Sequence, residues 1–120
     1  MTARRRPTAG PTSYGSDGRC RAVVQLWAST SERDLQGKVA ELASLRGWLV
    51  YHTWMSLHSR SGYPDLTLVR PPRVLHIEIK SESGLLSAAQ VEWGEALLHC
   101  PGEYYVWRPH DELRIAEILE

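Results

Sequence analysis

Lysine is scarce in this chain: of fourteen basic residues only Lys38 and Lys80 are Lys, and the rest are Arg. A lysine at a chemically pointed position therefore stands out. Cysteine is equally scarce. Cys20 and Cys100 form no CxxC or CxxH spacing, which argues against a structural zinc site and fits a reducing compartment. No run of 18 apolar residues is present, so no membrane-spanning helix is expected. The basic N-terminus lacks the apolar stretch of a signal peptide. Five histidines show no HxH or HExxH spacing, so a His-held metal is not expected. Excess charge is also missing: fourteen basic residues meet fourteen acidic ones.

What is present is enough for one domain. A chain of 120 residues, 42% hydrophobic, can bury a core without disulfides. Its neutrality is a sum over unlike parts. Residues 1–31 carry five Arg against one Asp, and residues 46–80 carry five basic against two acidic residues. Residues 81–120 carry two basic against eight acidic. The stretch 1–28 reads as a flexible basic arm, Arg-, Ser-, Gly- and Pro-rich at its start, and 29–120 as the folded domain.

A helix is expected from Ser29–Ser31, with Ser29 and Glu32 as an S-x-x-E capping box. Leu35, Val39, Leu42 and Leu45 give its apolar stripe, and Gly47 its stop. Trp48 to Thr53 reads as a strand, 54–64 as a loop, and Asp65 to Arg70 as a second strand. Pro71-Pro72 breaks that strand, and Val74 to Lys80 follows as the return arm of an antiparallel hairpin. Ser87 with Gln90 opens a second helix through another capping box. Glu103 to Trp107 forms a last strand, and Pro109 starts a last helix ending near Leu119. The order α-β-β-β-α-β-α predicts an α/β fold, a mixed central sheet flanked by helices.

The chemistry concentrates in the third strand. Side chains alternate faces there, so Leu75, Ile77 and Ile79 oppose His76, Glu78 and Lys80. The second set is either a solvent face or a site. Asp65 opens the partner strand, so its carboxylate can approach that of Glu78. Two neighbouring carboxylates repel unless a cation or proton lies between them, and Mg²⁺ prefers such an oxygen-rich setting. Lys80 on the same face could activate a water and counter charge on a phosphate. Metal plus lysine is a constellation for hydrolysing a phosphodiester. Glu32 lies on the inward side of its helix by the 100° rule, and reads either as a cap or as a third acid of the site. Gln90 likewise reads as the N3 partner of Ser87 or as a site residue.

Gly62-Tyr63-Pro64-Asp65 followed by Glu78-Ile79-Lys80 resembles the PD…(D/E)xK pattern of a large nuclease superfamily. With Ser31 to Gln36, Gly47-Trp48, His52-Thr53, Glu78 to Glu82, Leu86 to Gln90, Trp93 and Val106 to Pro109, the chain resembles the VRR-NUC branch over about residues 31–119. The resemblance implies a restriction-endonuclease-like core and a Mg²⁺- or Mn²⁺-dependent deoxyribonuclease. It implies Glu32, Asp65, Glu78 and the Ile79 carbonyl as metal ligands. Lys80 would be the catalytic lysine, and Gln90 a residue at the catalytic site. It further implies branched DNA such as a Holliday junction as substrate, a homodimer, no organic cofactor, no membrane, and the cytoplasm of a bacterial or phage-infected cell.

Other residues stay open. His58 and Arg60 precede the Pro-Asp and read as phosphate contacts or as a solvated loop. Arg70 and Arg73 flank the prolines at the far end of the hairpin and are candidates for DNA-backbone binding. Tyr104, Tyr105 and Trp107 read as core more simply than as a base-stacking surface. Two rival functions stand beside the nuclease: a non-cleaving DNA-binding module, and a protein-interaction domain using the acidic segment 81–120.

Overall fold

The computed structural model describes residues 25–54 and 58–120. The basic arm up to residue 24, and residues 55–57 of the expected loop, lie outside the described residues.

Helix α1 (Glu32–Leu45) is capped by Ser31, whose side chain accepts the Asp34 N–H at 3.0 Å. The expected Ser29 cap is therefore corrected by two residues. The Ser29 hydroxyl instead donates to the Leu26 carbonyl, within a helical stretch over 25–29. At the other end Gly47 adopts a left-handed φ of 84°. It lets Gly47 N–H reach Ser44 O and Trp48 N–H reach Ala43 O, the paired bonds of a Schellman stop. Leu35, Val39 and Ala43 are buried, but Leu45, expected in the apolar stripe, is exposed.

The strands are β1 (Leu49–His52), β2 (Leu66–Arg70), β3 (Arg73–Ile79) and β4 (Glu103–Trp107). They form one mixed sheet in the order β1-β2-β3-β4. β1 and β2, and β2 and β3, pair antiparallel, with Arg70 opposite Arg73 across the two-proline turn. β3 and β4 pair parallel, Ile77 beside Tyr105 and Ile79 beside Trp107. A parallel pair needs a crossover, and α2 (Ala88–Leu98) supplies it. A 3₁₀ turn (Pro109–Asp111) then leads into α3 (Glu112–Leu119). The element order is the one the sequence predicts, with the short turn and the helical stretch over 25–29, most of it in the arm expected to be flexible, added.

Leu66, Leu68, Leu75, Ile77, Ile79, Tyr105 and Trp107 cover one sheet face and pack with Leu35, Val39, Ile115 and Leu119 of α1 and α3. The opposite face is not simply solvent. α2 lies on its β4 side, where Gly94 permits a close approach: a Cβ there would stand 2.6 Å from the Tyr104 hydroxyl. On the β1 side, Leu49 and Tyr51 of that same face are exposed. Among the described residues no helix is long and apolar enough to cross a membrane.

Candidate active site

Asp65 is held at the mouth of the β2–β3 hairpin by local constraints. Gly62 takes φ 96°, and a Cβ on it would lie 2.6 Å from the backbone of Ala89, so only glycine lets this loop rest on α2. The Tyr63 ring meets Trp93 edge-on at 5.0 Å, and the Trp93 indole N–H donates to Ser61 O. Pro64 is buried, and its carbonyl accepts the Thr53 hydroxyl at 2.8 Å. The Asp65 carbonyl accepts the Thr53 N–H at 2.9 Å. Leu66 pairs with Ile77, so one further step of register sets Asp65 opposite Glu78, where facing Cβ atoms stand about 5 Å apart. Asp65 Oδ2 accepts the Ile79 N–H at 2.8 Å, the place a ladder carbonyl from residue 64 would take, since the Pro64 carbonyl is turned to Thr53. A strand residue directs its N–H and C=O to the same side, so the Ile79 carbonyl faces Asp65 too.

Glu78 is 2% exposed, an unusual place for a carboxyl. One oxygen, Oε1, accepts from Gln90 Nε2 at 3.2 Å. The other, Oε2, is buried with no hydrogen-bond partner. Burial above all, and then the adjoining Asp65 carboxylate, push the Glu78 pKa up to about 9; Lys80 opposes the rise and Glu32 adds to it. Near neutral pH Glu78 thus holds a proton, which can be directed at Asp65. A cation would take that proton's place with equal electrostatic logic. The same environment, burial first and then Glu78, Asp65 and Glu95, pushes the Tyr104 hydroxyl up to about 12. Burial also holds His76 below its ordinary value.

Gln90 serves both of its open readings. Its side chain closes the capping box with Ser87 and also reaches Glu78. Glu32 occupies the first position of α1 and is exposed, not inside the core stripe. Its carboxylate nevertheless turns toward the site. A Cβ built on Gly84 would lie 3.4 Å from Glu32 Oε2 and 3.5 Å from the Lys80 stem, so Glu32 and Lys80 flank the same glycine. Asp65 and Glu78 are neighbours, whereas among the described residues no three His, Cys, Asp or Glu are grouped closely enough to hold a metal by themselves. Mg²⁺ is commonly held by one or two carboxylates, with waters and substrate phosphates completing its shell. The residues fit such an ion: a facing acid pair, a buried oxygen without a donor, and a strand carbonyl on the same side.

The remaining candidates lie elsewhere. His58 is exposed. Arg60 pairs with Glu92 at 2.7 Å across an exposed surface and stands over the Trp93 ring. Arg70 and Arg73 sit at the opposite end of the hairpin, with their donors engaged. Arg70 donates to the carbonyls of Arg46, Leu119 and Glu120 and stacks over Trp48 at 4.4 Å. Arg73 forms a two-pronged pair with buried Glu103 at 2.7 and 2.8 Å and donates to Ile118 O; Glu103 holds its pKa above the ordinary arginine value. Tyr104, Tyr105 and Trp107 are buried.

The resemblance includes Thr53 without giving it a role, and the structure shows it anchoring the Pro-Asp step; sequence reasoning missed a second polar cluster after Lys80. There the Glu82 carboxylate accepts from the His110 backbone N–H and meets His110 Nδ1 at 2.8 Å. His110 Nε2 lies 3.2 Å from Asp111 Oδ1, an electrostatic contact without hydrogen-bond alignment. The partners are 28 residues apart in the chain, so no local spacing announces them. The only signal was a Glu soon after the strand lysine. Against family models, curated proteins and solved structures, the chain finds no match.

Proposed function

We propose that this protein is a divalent-metal-dependent nuclease that hydrolyses DNA phosphodiester bonds. The observation that carries the reading is the acid pair: buried Glu78 faces the Asp65 carboxylate, two residues from Lys80. Such a pair needs a shared proton or a cation between its carboxyls, and a cation held there beside a lysine is the arrangement that phosphodiester hydrolysis uses. The resemblance to VRR-NUC nucleases rests on these same positions and supplies the substrate class.

Asp65, Glu78 and the Ile79 carbonyl would hold Mg²⁺ or Mn²⁺, with Glu32 contributing from the first turn of α1. The ion would supply Lewis-acid polarisation of the scissile phosphate and a lowered pKa for water. The chain's own residues do the rest. Gln90 fixes the carboxylate plane of Glu78 through its amide. Asp65 is locked by the Ile79 N–H, so its second oxygen keeps one direction. Lys80 offers an ammonium that orients the attacking water and offsets charge gathering on the phosphate. The resemblance extends the reading to branched DNA, with a symmetric dimer offering two sites to a two-fold junction.

The test is a gel assay on four-way junction, single-stranded and duplex DNA with Mg²⁺, Mn²⁺ or EDTA. Wild-type protein is expected to cleave only with metal, and Asp65→Asn and Lys80→Ala to be folded and inactive. Cleavage by both variants at the wild-type rate would refute the assignment. Light scattering at micromolar concentration tests the dimer.

A further inference from the structure

We infer that Arg108 is a positioning residue for Lys80 and Glu32, acting through the backbone of residues 81–84; this rests on the nuclease reading above. The inference starts from three carbonyls gathered at one guanidinium nitrogen, two by short bonds and the third by a longer, shared one. Arg108 Nη1 donates to Ser81 O at 2.7 Å, Gly84 O at 2.7 Å and Glu82 O at 3.3 Å. These carbonyls belong to the loop that follows Lys80 directly. Gathering three carbonyls around one cation closes the loop into a tight curve. Its far side, at Gly84, is where the Glu32 carboxylate, the Ser81 hydroxyl and the Lys80 stem converge, at 3.4, 2.8 and 3.5 Å from the Cβ position.

The loop is gripped at two more points. Lys80 N–H donates to Trp107 O at 3.0 Å, so adjacent residues of the β4 exit hold both Lys80 and the loop. Glu82 is tied down by His110. Arg108 itself is fixed by its own N–H, which donates to Asp111 Oδ2 at 2.9 Å. The result is a rigid saddle under a flexible lysine. The side-chain bonds of Arg108 go to the loop backbone and not to the acid pair, so its effect is on placement. A side chain without a donor at that point cannot reproduce it.

The chain's two lysines make the placement directly readable. Isotopic dimethylation gives one NMR signal for Lys80 and one for Lys38, in metal-free protein and without reference to activity. In Arg108→Gln, the Lys80 signal is expected to move toward that of a free lysine while Lys38 stays put. Turnover number is expected to fall about 10- to 100-fold, the order that a misplacement near 1 Å costs, with KM within about threefold. Arg108→Met, which keeps the length of the stem and removes every donor, is the second variant should Arg108→Gln fail to fold. It is expected to move the Lys80 signal and lower the turnover number in the same sense. An unmoved Lys80 signal with wild-type turnover overturns the positioning role. If Lys80→Ala cleaves normally, the nuclease reading falls, and the positioning role falls with it.

Discussion

Gln90 and Glu78 are joined through an amide that has no freedom to turn. Gln90 Oε1 accepts the Ser87 N–H at 2.8 Å, which leaves Nε2 to donate to Glu78 Oε1 at 3.2 Å. A helix cap thereby orients a residue of the site. Both Gln90→Leu and Ser87→Ala should cost about 1 kcal/mol of stability, the usual worth of such a cap. Only Gln90→Leu should raise the Glu78 pKa further, because only it removes a donor to the carboxylate. Urea titration and carboxyl-carbon NMR would separate the two effects; equal titration curves in both variants would contradict the coupling.

Glu78 makes the metal-free protein sensitive to alkali. Its pKa rises from an ordinary 4.5 to about 9 on folding, so between those values the native state keeps a proton that the unfolded chain has lost. The stability this confers is complete below about 4.5 and vanishes as pH climbs through 9. In EDTA, Glu78→Gln should therefore gain on wild type steadily over that window, by urea midpoint. Cation binding near neutrality should displace about one proton, measurable by calorimetry in buffers of different ionisation heat. A pH-independent difference between the two proteins would be the failing result.

Arg73 faces Glu103, whose side chain is 1% exposed, and the Tyr105 hydroxyl shares that carboxylate at 2.6 Å. Arg73→Ala strands a buried charge and should destabilise by about 3 kcal/mol. DNA affinity, read by fluorescence anisotropy against salt, should not change its slope. If Arg73 grips phosphate instead, the slope should fall by about one.

Two glycines predict opposite signs. Gly62→Ala combines a disfavoured φ with a collision on the Ala89 backbone and should cost about 1–3 kcal/mol from conformation alone, shifting Asp65 with it. Gly37, within α1, has open space at its Cβ position, so Gly37→Ala should stabilise by about 1 kcal/mol. Chemical denaturation of both variants decides the matter.

Much of the fold was legible because its signals are local. Gly47, the two prolines at 71–72 and the Ser87–Gln90 box each announce themselves within four residues, and the alternation from Leu75 to Lys80 separates the two sheet faces. The placement of Asp65 against Glu78 followed from the hairpin alone. What was not legible depended on distant segments. Ser29 and Ser31 offered competing caps, and only the position of the helix settles between them. Arg70 and Arg73 read as free cations until α3 brings its terminal carbonyls beneath the hairpin turn. The ties of Glu82 to His110 and of Arg108 to the loop arise from parallel pairing of β3 with β4, which no short window contains.

The partial cover of the second sheet face has a consequence for what can reach the acid pair. α2 roofs the sheet over β4 and stops short of β1, leaving Leu49 and Tyr51 bare. Asp65 and Glu78 belong to that same face, on the two strands between. There Tyr63 stands edge-on to His76 of the same face at 6.0 Å, and Glu78 is 2% exposed, so the acid pair lies at the margin of the covered part and not on the bare part. On the nuclease reading proposed above, a DNA strand would meet the apolar shelf of Leu49 and Tyr51 before it meets the acids, which makes that shelf a threshold to the site.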